Sequence, residues 1–247
     1  MAPVTLRFVG SGDSFGSGGR LQTCLHLSGA SEGSLLLDCG TSSLIGLKRM
    51  GLDPSDVGWV LLTHLHGDHF AGVPFLVLDG QFSRRTRPLL VAGPAGVRER
   101  MDAAMELFFP GSAAIARRFE TSYVELRDRV PLTIGPARVT PYLVDHASGA
   151  PPHALRVEYG GKTVTYSGDT QWTDALLDAA RGADLFVCEA YTFERRVRFH
   201  LDYTTVRAHA DRLDARRIIL THMGPEMLLR TGDAAWDCAA DGLEVVV

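Results

Sequence analysis

Short apolar runs alternate with polar, glycine-containing segments along the chain, which is typical of strands and helices connected by surface loops. Apolar or alternating runs predict strands in both halves of the chain. They cover residues 4–9, 23–27, 34–38, 59–62, 138–144, 155–159, 162–166, 184–188 and 217–220. Because these runs are short and numerous, the pattern predicts a protein built around β-sheets.

Helical spacing of apolar residues predicts helices between several of these strands. They cover residues 42–50, 70–78, 94–109, 174–181 and 204–213. In the third helix, Pro94 suits the first turn and Pro110 marks the end. A β-rich start with interspersed helices favours an α/β fold in which helices cover the outer sides of two facing sheets.

The segment after the predicted strand at 59–62 adds a candidate site, since it reads His64-Leu65-His66-Gly67-Asp68-His69. His64 and His66 point the same way in an extended chain, because side chains alternate along a strand. Asp68 and His69 follow where the chain turns into a helix and can face a second point nearby. Imidazoles and carboxylates bind transition metals, so the cluster predicts a site for two adjacent ions.

Further potential ligands follow other predicted strands directly. They are His146 after residues 138–144, Asp169 after 162–166, Glu189 after 184–188 and His222 after 217–220. Loops beyond the carboxyl ends of strands converge on one edge in layered α/β proteins. We therefore expect these side chains to join the histidine cluster at a single site.

This ordered set of histidines and aspartates resembles the metallo-β-lactamase superfamily over nearly the whole chain. The resemblance implies an α/β four-layer αββα sandwich, with two facing mixed β-sheets flanked by helices. It also implies two metal sites, held by His64, His66 and His146 and by Asp68, His69 and His222, with Asp169 as the bridge. Class B β-lactamases typically have Cys at the position of Asp169, so β-lactam hydrolysis is not the expected activity.

Two other segments narrow the resemblance to the ribonuclease Z-like and PhnP-like phosphodiesterase branch. The strand and glycine-rich loop over residues 6–19 are similar to the start of those enzymes, and His200 matches the extra histidine of that branch. Ribonuclease Z usually has Thr at the position of Asp202. It also has a tRNA-gripping arm between the positions of His146 and Asp169, where this chain has no room for one. The pattern is therefore closer to the PhnP type.

The resemblance implies a dinuclear-metal hydrolase that cleaves small or cyclic phosphodiesters by a metal-bound hydroxide. The metals lower the pKa of the water that gives this hydroxide to ~7. Asp68 is a catalytic candidate because it can orient the hydroxide. His200 is the second, as a stabiliser of the transition state or a proton donor to the leaving oxygen. Asp202 either holds the His200 ring or caps the helix that follows. Arg198 is a substrate-binding candidate, because a guanidinium can bind phosphate bidentately.

Two other functions remain open. A carboxylic ester, thioester or lactone hydrolase would use the same ligands but would leave His200 unexplained. Ribonuclease Z-like RNA processing would explain His200, but this chain lacks the arm that grips tRNA. The donor set suits two divalent transition-metal ions, with Zn²⁺ as the first choice and Mn²⁺ or Fe²⁺ as alternatives.

Composition adds expectations about size, partners and location. The chain has 247 residues, 45% of them hydrophobic and 22% charged, as in ordinary globular proteins. The candidate ligands span both halves, so we expect a single domain over residues 1–247. A net charge of −4 favours a small-molecule substrate over long nucleic acid. Without a membrane-length apolar run or a signal-peptide pattern, the sequence predicts a cytoplasmic protein with reduced cysteines. The resemblance adds the expectation of a homodimer.

Overall fold

A computed structural model describes residues 3–30 and 32–247. The strands are β1 Thr5–Gly10, β2 Cys24–Ser28, β3 Ser34–Leu37, β4 Val57–Leu61, β5 Leu89–Gly93, β6 Thr121–Glu125, β7 Leu132–Ile134, β8 Ala137–Leu143, β9 His153–Tyr159, β10 Lys162–Tyr166, β11 Leu185–Glu189, β12 Ile218–Thr221, β13 Asp237–Cys238 and β14 Glu244–Val246. The α-helices are α1 Ser43–Arg49, α2 Gly67–Phe70, α3 Gly72–Phe82, α4 Val97–Phe108, α5 Ala175–Ala180, α6 Tyr203–Ala208 and α7 Pro225–Leu229.

These strands form two seven-stranded mixed sheets. The first has the order β14-β1-β2-β3-β4-β5-β6 and the second the order β13-β12-β11-β10-β9-β8-β7. In the first sheet, pairing is antiparallel from β14 to β3 and parallel from β3 to β6. In the second, it is antiparallel from β7 to β10 and parallel from β10 to β13. Each sheet therefore contributes parallel strands whose carboxyl ends lie at a common edge.

Apolar side chains fill three layers between and outside the sheets. Phe8 and Leu37 of the first sheet and Val157 and Tyr166 of the second belong to one buried cluster between the sheets. A second cluster joins the outer face of the first sheet to α1, α3 and α4, and a third joins the second sheet to α5, α6 and α7. Each fully buried aliphatic or Phe side chain contributes about 1.5–3 kcal/mol, so these layers supply the main driving force for folding. The predicted four-layer sandwich is confirmed.

All nine predicted strands are present, with ends shifted by up to two residues. The prediction missed β5, β6, β7, β13 and β14. Four of these are edge strands, and β5 lies next to the edge strand β6, as the strand orders show. Edge strands are short and half-exposed, so their sequences carry little of the apolar pattern on which the prediction relies.

Three predicted helices differ from those in the structure. The helix predicted at 94–109 begins only at Val97. Gly96 takes a left-handed conformation with φ 82°, so the backbone from Pro94 to Gly96 is not helical. The helix at 70–78 is divided into α2 and α3, where the Gly72 amide donates to the Cys39 carbonyl at 2.8 Å. The helix at 204–213 ends as α6 at Ala208 and continues as a 3₁₀ turn.

The interval between His146 and Asp169 is occupied by the hairpin of β9 and β10. Its two strands pair antiparallel through the turn at Gly160 and Gly161, both of which have positive φ. Among the helices of the described residues, none combines the length and the apolar character needed to cross a membrane.

Candidate metal centre

The candidate ligands lie where strands of both sheets end. His64, His66, Asp68 and His69 occupy the segment that leads from β4 into α2. His146 follows β8, Asp169 follows β10 and His222 follows β12. Parallel pairing of β10, β11 and β12 brings the ends of these three strands to one edge. The structure thus brings the predicted side chains together from segments far apart in sequence.

The first group consists of the imidazoles of His64, His66 and His146. One ring nitrogen from each lies within 4.8 Å of the other two. His146 Nδ1 is 2.9 Å from the Phe199 carbonyl, which can only accept, so this nitrogen carries the proton and Nε2 is left to bind. That Nε2 lies 3.0 Å from Nδ1 of His66. We call this group the imidazole cluster.

His64 is oriented by a chain of hydrogen bonds through a neighbouring hydroxyl. Thr63 Oγ1 donates to Asp38 Oδ2 at 2.8 Å and lies 3.0 Å from His64 Nδ1. Since the hydroxyl proton is used on the carboxylate, the hydroxyl oxygen accepts from Nδ1 of His64. The unprotonated Nε2 of His64 then faces the cluster, which is the form a metal ligand requires.

The second group consists of Asp68, His69, Asp169 and His222, and all four are buried. His69 Nε2 lies 3.2 Å from Asp68 Oδ2 and 3.3 Å from Asp169 Oδ1. His222 Nε2 lies 3.4 Å from Oδ2 of each carboxylate. His69 is fixed from behind, because its Nδ1 donates to Asp38 Oδ2 at 2.7 Å. We call this group the carboxylate cluster.

The surroundings shift the histidine pKa values in opposite directions in the two groups. Burial, reinforced by the neighbouring His69, holds the pKa of His64 well below its usual value. Burial also acts to lower the pKa of His69, but Asp169 and Asp68 outweigh it and raise that pKa well above the usual value. Burial opposes ionisation of Asp169 as well, yet His222 and His69 lower its pKa far below the ordinary range. The carboxylate cluster therefore stabilises positive charge.

Several buried polar atoms at this site have no hydrogen-bond partner in the described part of the chain. They are Nε2 of His64, Nε2 of His69, Oδ1 of Asp169 and Nδ1 of His222. Leaving a buried polar atom unsatisfied costs about 1–3 kcal/mol, so such a concentration needs an explanation. A cation bound by nitrogen and oxygen donors would satisfy three of them, since His222 presents Nε2 to the carboxylates. The His/Asp cluster is thus able to bind metal.

Asp169 lies in the carboxylate cluster and beside the imidazole cluster. Its carboxylate raises the pKa of His146 against the larger, opposite effect of burial. Its other neighbour is His200, whose Nδ1 is 3.9 Å from Asp169 Oδ2. This placement is compatible with the predicted bridge between two ions, and the bridging role stays a prediction.

His200 is held by Glu189, a residue that the sequence suggested only as a potential ligand. His200 Nδ1 donates to Glu189 Oε1 at 2.5 Å, and the other carboxylate oxygen accepts from the Thr170 amide at 2.8 Å. Burial alone would lower the pKa of His200, but its hydrogen bond to the Glu189 carboxylate raises it. The sequence signal for this role was a carboxylate at the end of a fully buried strand.

Asp202 has the capping role of the two that the sequence left open. Its Oδ1 accepts from the Thr205 amide at 2.8 Å at the start of α6, and its oxygens also accept from the hydroxyls of Thr204 and Thr205. The Glu189 carboxylate takes the place beside His200. Arg198 lies outside both clusters, on an exposed loop with its guanidinium 4.4 Å from the Phe199 ring centre.

Three residues other than glycine adopt the left-handed conformation at this site. They are Asp38 with φ 59°, Phe199 with φ 68° and His222 with φ 56°. Such conformations are costly for residues with a Cβ and concentrate at functional sites. Here they aim the Asp38 carboxylate at His69 and the Phe199 carbonyl at His146, so the backbone itself positions the imidazoles.

The glycine-rich loop after β1 covers one side of the carboxylate cluster. Ser14 Oγ donates to Asp68 Oδ2 at 2.6 Å. The loop is held by Asp13, whose carboxylate accepts from the Ser17 amide at 2.9 Å and is fully buried. Phe15, in the same loop, is 82% exposed, so the loop presents an aromatic surface beside the carboxylate cluster.

Residues 34–223 match the family described as "Beta-lactamase superfamily domain". The chain belongs to the beta-lactamase superfamily. An uncharacterized protein of Mycobacterium leprae is 33% identical to this superfamily member over 77% of this chain and 67% of its own length. Ribonuclease Z of Methanosarcina acetivorans is 26% identical over 89% of this chain and 87% of its own length.

Solved structures of the superfamily have the same fold as this member. The metallo-beta-lactamase fold protein YhfI from Bacillus subtilis matches with a TM-score of 0.80 and 19% identity over 99% of both chains. The short form of human tRNase Z gives 0.79 and 20% identity over 98% of both chains. A diphosphatase from the PhnP family gives 0.77 and 20% identity over 98% of this chain and 97% of its own. These likenesses confirm the predicted fold, and the superfamily member has the ribonuclease Z and PhnP-like neighbours that its sequence indicated.

Proposed function

We propose that this chain is a metal-dependent phosphodiesterase that acts on small or cyclic phosphodiesters. The observation that carries the proposal is the pair formed by His200 and the buried Glu189, next to two clusters of metal-binding side chains. Metal clusters alone are shared by hydrolases of several substrate classes. A histidine held by a buried carboxylate beside them adds a proton donor of the kind that an alkoxide leaving group needs.

Each cluster would hold one divalent cation. His64, His66 and His146 would bind the first, Asp68, His69 and His222 the second, and Asp169 both. When bound, the cations supply Lewis-acid activation of water and of the scissile phosphate. Nitrogen and oxygen donors without thiolate suit Zn²⁺ first, with Mn²⁺ and Fe²⁺ as alternatives. Elemental analysis of protein grown with all three metals tests this order.

The chain's own groups complete the chemistry. Asp68 accepts from Ser14 and faces His222, so it lies where it can orient an attacking water. The Nδ1–H group of His200 donates to Glu189. Nε2 is therefore the nitrogen that delivers a proton to the departing oxygen. The raised pKa of His200 keeps it charged to higher pH, as a proton donor or stabiliser of phosphorane charge requires.

Known relatives support the choice of a phosphoester substrate. The relative from Methanosarcina acetivorans is named ribonuclease Z, and the PhnP-family neighbour is described as a diphosphatase. Both names denote enzymes that act on phosphorus-containing bonds. Between β8 and the end of β10 the chain forms only the short β9–β10 hairpin, which favours a small substrate over tRNA.

A substrate panel tests the proposal directly. It contains bis(p-nitrophenyl) phosphate, a 2′,3′-cyclic nucleotide, a lactone, a thioester, a nitrocefin-type β-lactam and a precursor tRNA. We expect metal-dependent turnover of the two phosphodiesters, abolished by chelation and restored by added Zn²⁺ or Mn²⁺. Preferred turnover of the lactone or thioester would refute the proposal in favour of carboxylic-ester hydrolysis, and preferred tRNA cleavage would indicate RNA processing.

A further inference from the structure

The glycine-rich loop between β1 and β2 is held in place by its own side chains. Asp13 Oδ1 accepts from the amides of Ser17 at 2.9 Å and Phe15 at 3.2 Å, and Asp13 Oδ2 accepts from the Ser17 hydroxyl at 2.7 Å. From the far end of the loop, Gln22 Nε2 donates to the Ser14 carbonyl at 3.1 Å. The loop is therefore a preformed element of the site, which avoids the entropy cost of ordering it on binding.

Ser14, within this braced loop, directs its hydroxyl at a candidate ligand. Ser14 Oγ lies 2.6 Å from Asp68 Oδ2, a length typical of a hydroxyl that donates to an ionised carboxylate. The same carboxylate oxygen lies 3.2 Å from His69 Nε2 and 3.4 Å from His222 Nε2. One oxygen of Asp68 thus faces three potential donors, two imidazoles and one hydroxyl.

These three groups are not equivalent once a cation is bound. His69 and His222 can bind a metal only through an unprotonated Nε2, so neither can donate to Asp68 while it serves as a ligand. The Ser14 hydroxyl lies outside the candidate ligand set and keeps its proton. Within the described ranges 3–30 and 32–247, Ser14 is then the side chain that still donates to Asp68 Oδ2.

We propose that Ser14 is a positioning residue that fixes the orientation of Asp68 from the open side of the site. The inference rests on the proposed function, since it takes Asp68 as the group that orients the attacking water. A carboxylate held through one oxygen presents the other oxygen in a constant direction. Asp38, which is fully buried, supports the neighbouring His69 from the interior. The two adjacent ligands are thus held by a buried carboxylate and by a hydroxyl of an exposed residue.

Three variants of the loop test this role. Ser14→Ala removes the hydroxyl, Ser14→Thr keeps it, and Ser17→Ala removes a hydroxyl of the same loop that donates to Asp13 instead of to a ligand. Because Ser14 is exposed, its truncation leaves no internal cavity. By competition with a chromogenic chelator, we expect Ser14→Ala to bind Zn²⁺ in the carboxylate cluster about 10- to 100-fold more weakly. Ser14→Thr and Ser17→Ala should match the parent. An equal loss in Ser17→Ala would overturn the proposal, because the loop as a whole would then be responsible.

Kinetics in excess Zn²⁺ separate the orientation of Asp68 from the retention of metal. With bis(p-nitrophenyl) phosphate, we expect Ser14→Ala to lose about 10- to 100-fold in kcat at an unchanged KM, and Ser14→Thr to recover the loss. Weaker metal binding in Ser14→Ala supports the proposal even if the parent hydrolyses no phosphodiester, an outcome that refutes the proposed function alone. Phosphodiester turnover by the parent, with the same metal affinity and kcat in Ser14→Ala, overturns the role of Ser14 and leaves the proposed function intact.

Discussion

The imidazole cluster and the carboxylate cluster lie side by side but differ in charge and exposure. The first contains only imidazoles, and its member His66 is half-exposed. The second contains two imidazoles and two carboxylates, all buried. In the imidazole cluster, burial lowers the pKa values of His64 and His146. In the carboxylate cluster, burial likewise acts to lower the pKa of His222, but Asp169 and Asp68 raise it to about 9.

This difference predicts how each cluster responds to a cation. The imidazole cluster contains no carboxylate, so an ion bound there adds charge to a partly buried site. The carboxylate cluster already has negative charge that protons would otherwise balance, and an ion displaces those protons. Since a buried charge needs a counter-charge, we expect the carboxylate cluster to bind its ion more tightly.

Replacing Asp169 should produce the largest effect, because this carboxylate serves one cluster and borders the other. We expect Asp169→Ala to lose both ions, and activity to fall by more than the ~10²–10⁴-fold typical of removing one proton donor. His146→Ala should lose only the ion of the imidazole cluster. Elemental analysis after extensive dialysis distinguishes the two. If Asp169→Ala retained two ions per chain, the assignment of both clusters would be wrong.

Replacing His200 should change catalysis without emptying either cluster. We expect His200→Ala to keep its metal content and to lose roughly 10²–10⁴-fold in kcat on a phosphodiester with a poor leaving group. The loss should be smaller on bis(p-nitrophenyl) phosphate, whose leaving group hardly needs a proton. Glu189→Gln should shift kcat in the same direction, because it removes the charge that holds the His200 ring. Equal losses on both substrates would favour stabilisation of phosphorane charge over proton donation.

The residues behind the ligands allow the imidazole cluster to be weakened alone or together with the carboxylate cluster. Asp38 accepts from His69 and also from Thr63, which in turn holds His64. We expect Asp38→Asn to weaken binding in the carboxylate cluster by about 10- to 100-fold, the usual range for such supporting groups, and to weaken the imidazole cluster less, through Thr63. Thr63→Val should act chiefly on the imidazole cluster. Competition with a chromogenic chelator gives both affinities. Identical affinity profiles for the two variants would contradict the view that Asp38 supports both clusters and Thr63 chiefly one.

His26 provides a baseline outside both clusters for the effect of burial on a histidine. Burial, assisted by Arg7, lowers the pKa of His26 from 6.5 to about 4. Because the folded value lies below the unfolded one, protonation favours unfolding, and stability is lost as pH falls from 6.5 towards 4. Between pH 7 and 5.5 this residue should reduce the free energy of unfolding by about 1 kcal/mol.

Urea denaturation of the parent and His26→Gln across that pH range checks this value. The metal concentration is held constant, so that the difference between the two proteins isolates His26. The variant should lose less stability than the parent as the pH is lowered. Parallel curves would mean that burial does not exclude the proton from this imidazole.

The sequence by itself determined nine of the fourteen strands and most of the candidate ligands. Apolar runs with period two fix which strands have a buried face, and potential ligands directly after such runs must lie at a sheet edge. The segment from His64 to His69 is so short that its side chains are neighbours in any compact fold. These features depend on local spacing, which a single chain displays directly.

Tertiary structure decided which groups support the ligands. The sequence suggested Asp202 as a partner for His200, but the Asp202 carboxylate accepts from the Thr205 amide at the start of α6. Glu189, at the end of β11, accepts from His200 instead. The roles of Asp38 and of the Phe199 carbonyl depend on a left-handed backbone conformation that the sequence pattern did not predict. The cavity lined by Trp172 and Arg198 likewise joins two loops that are separated in the sequence. Each of these contacts joins segments distant along the chain, and its geometry follows from how strands and loops converge in three dimensions.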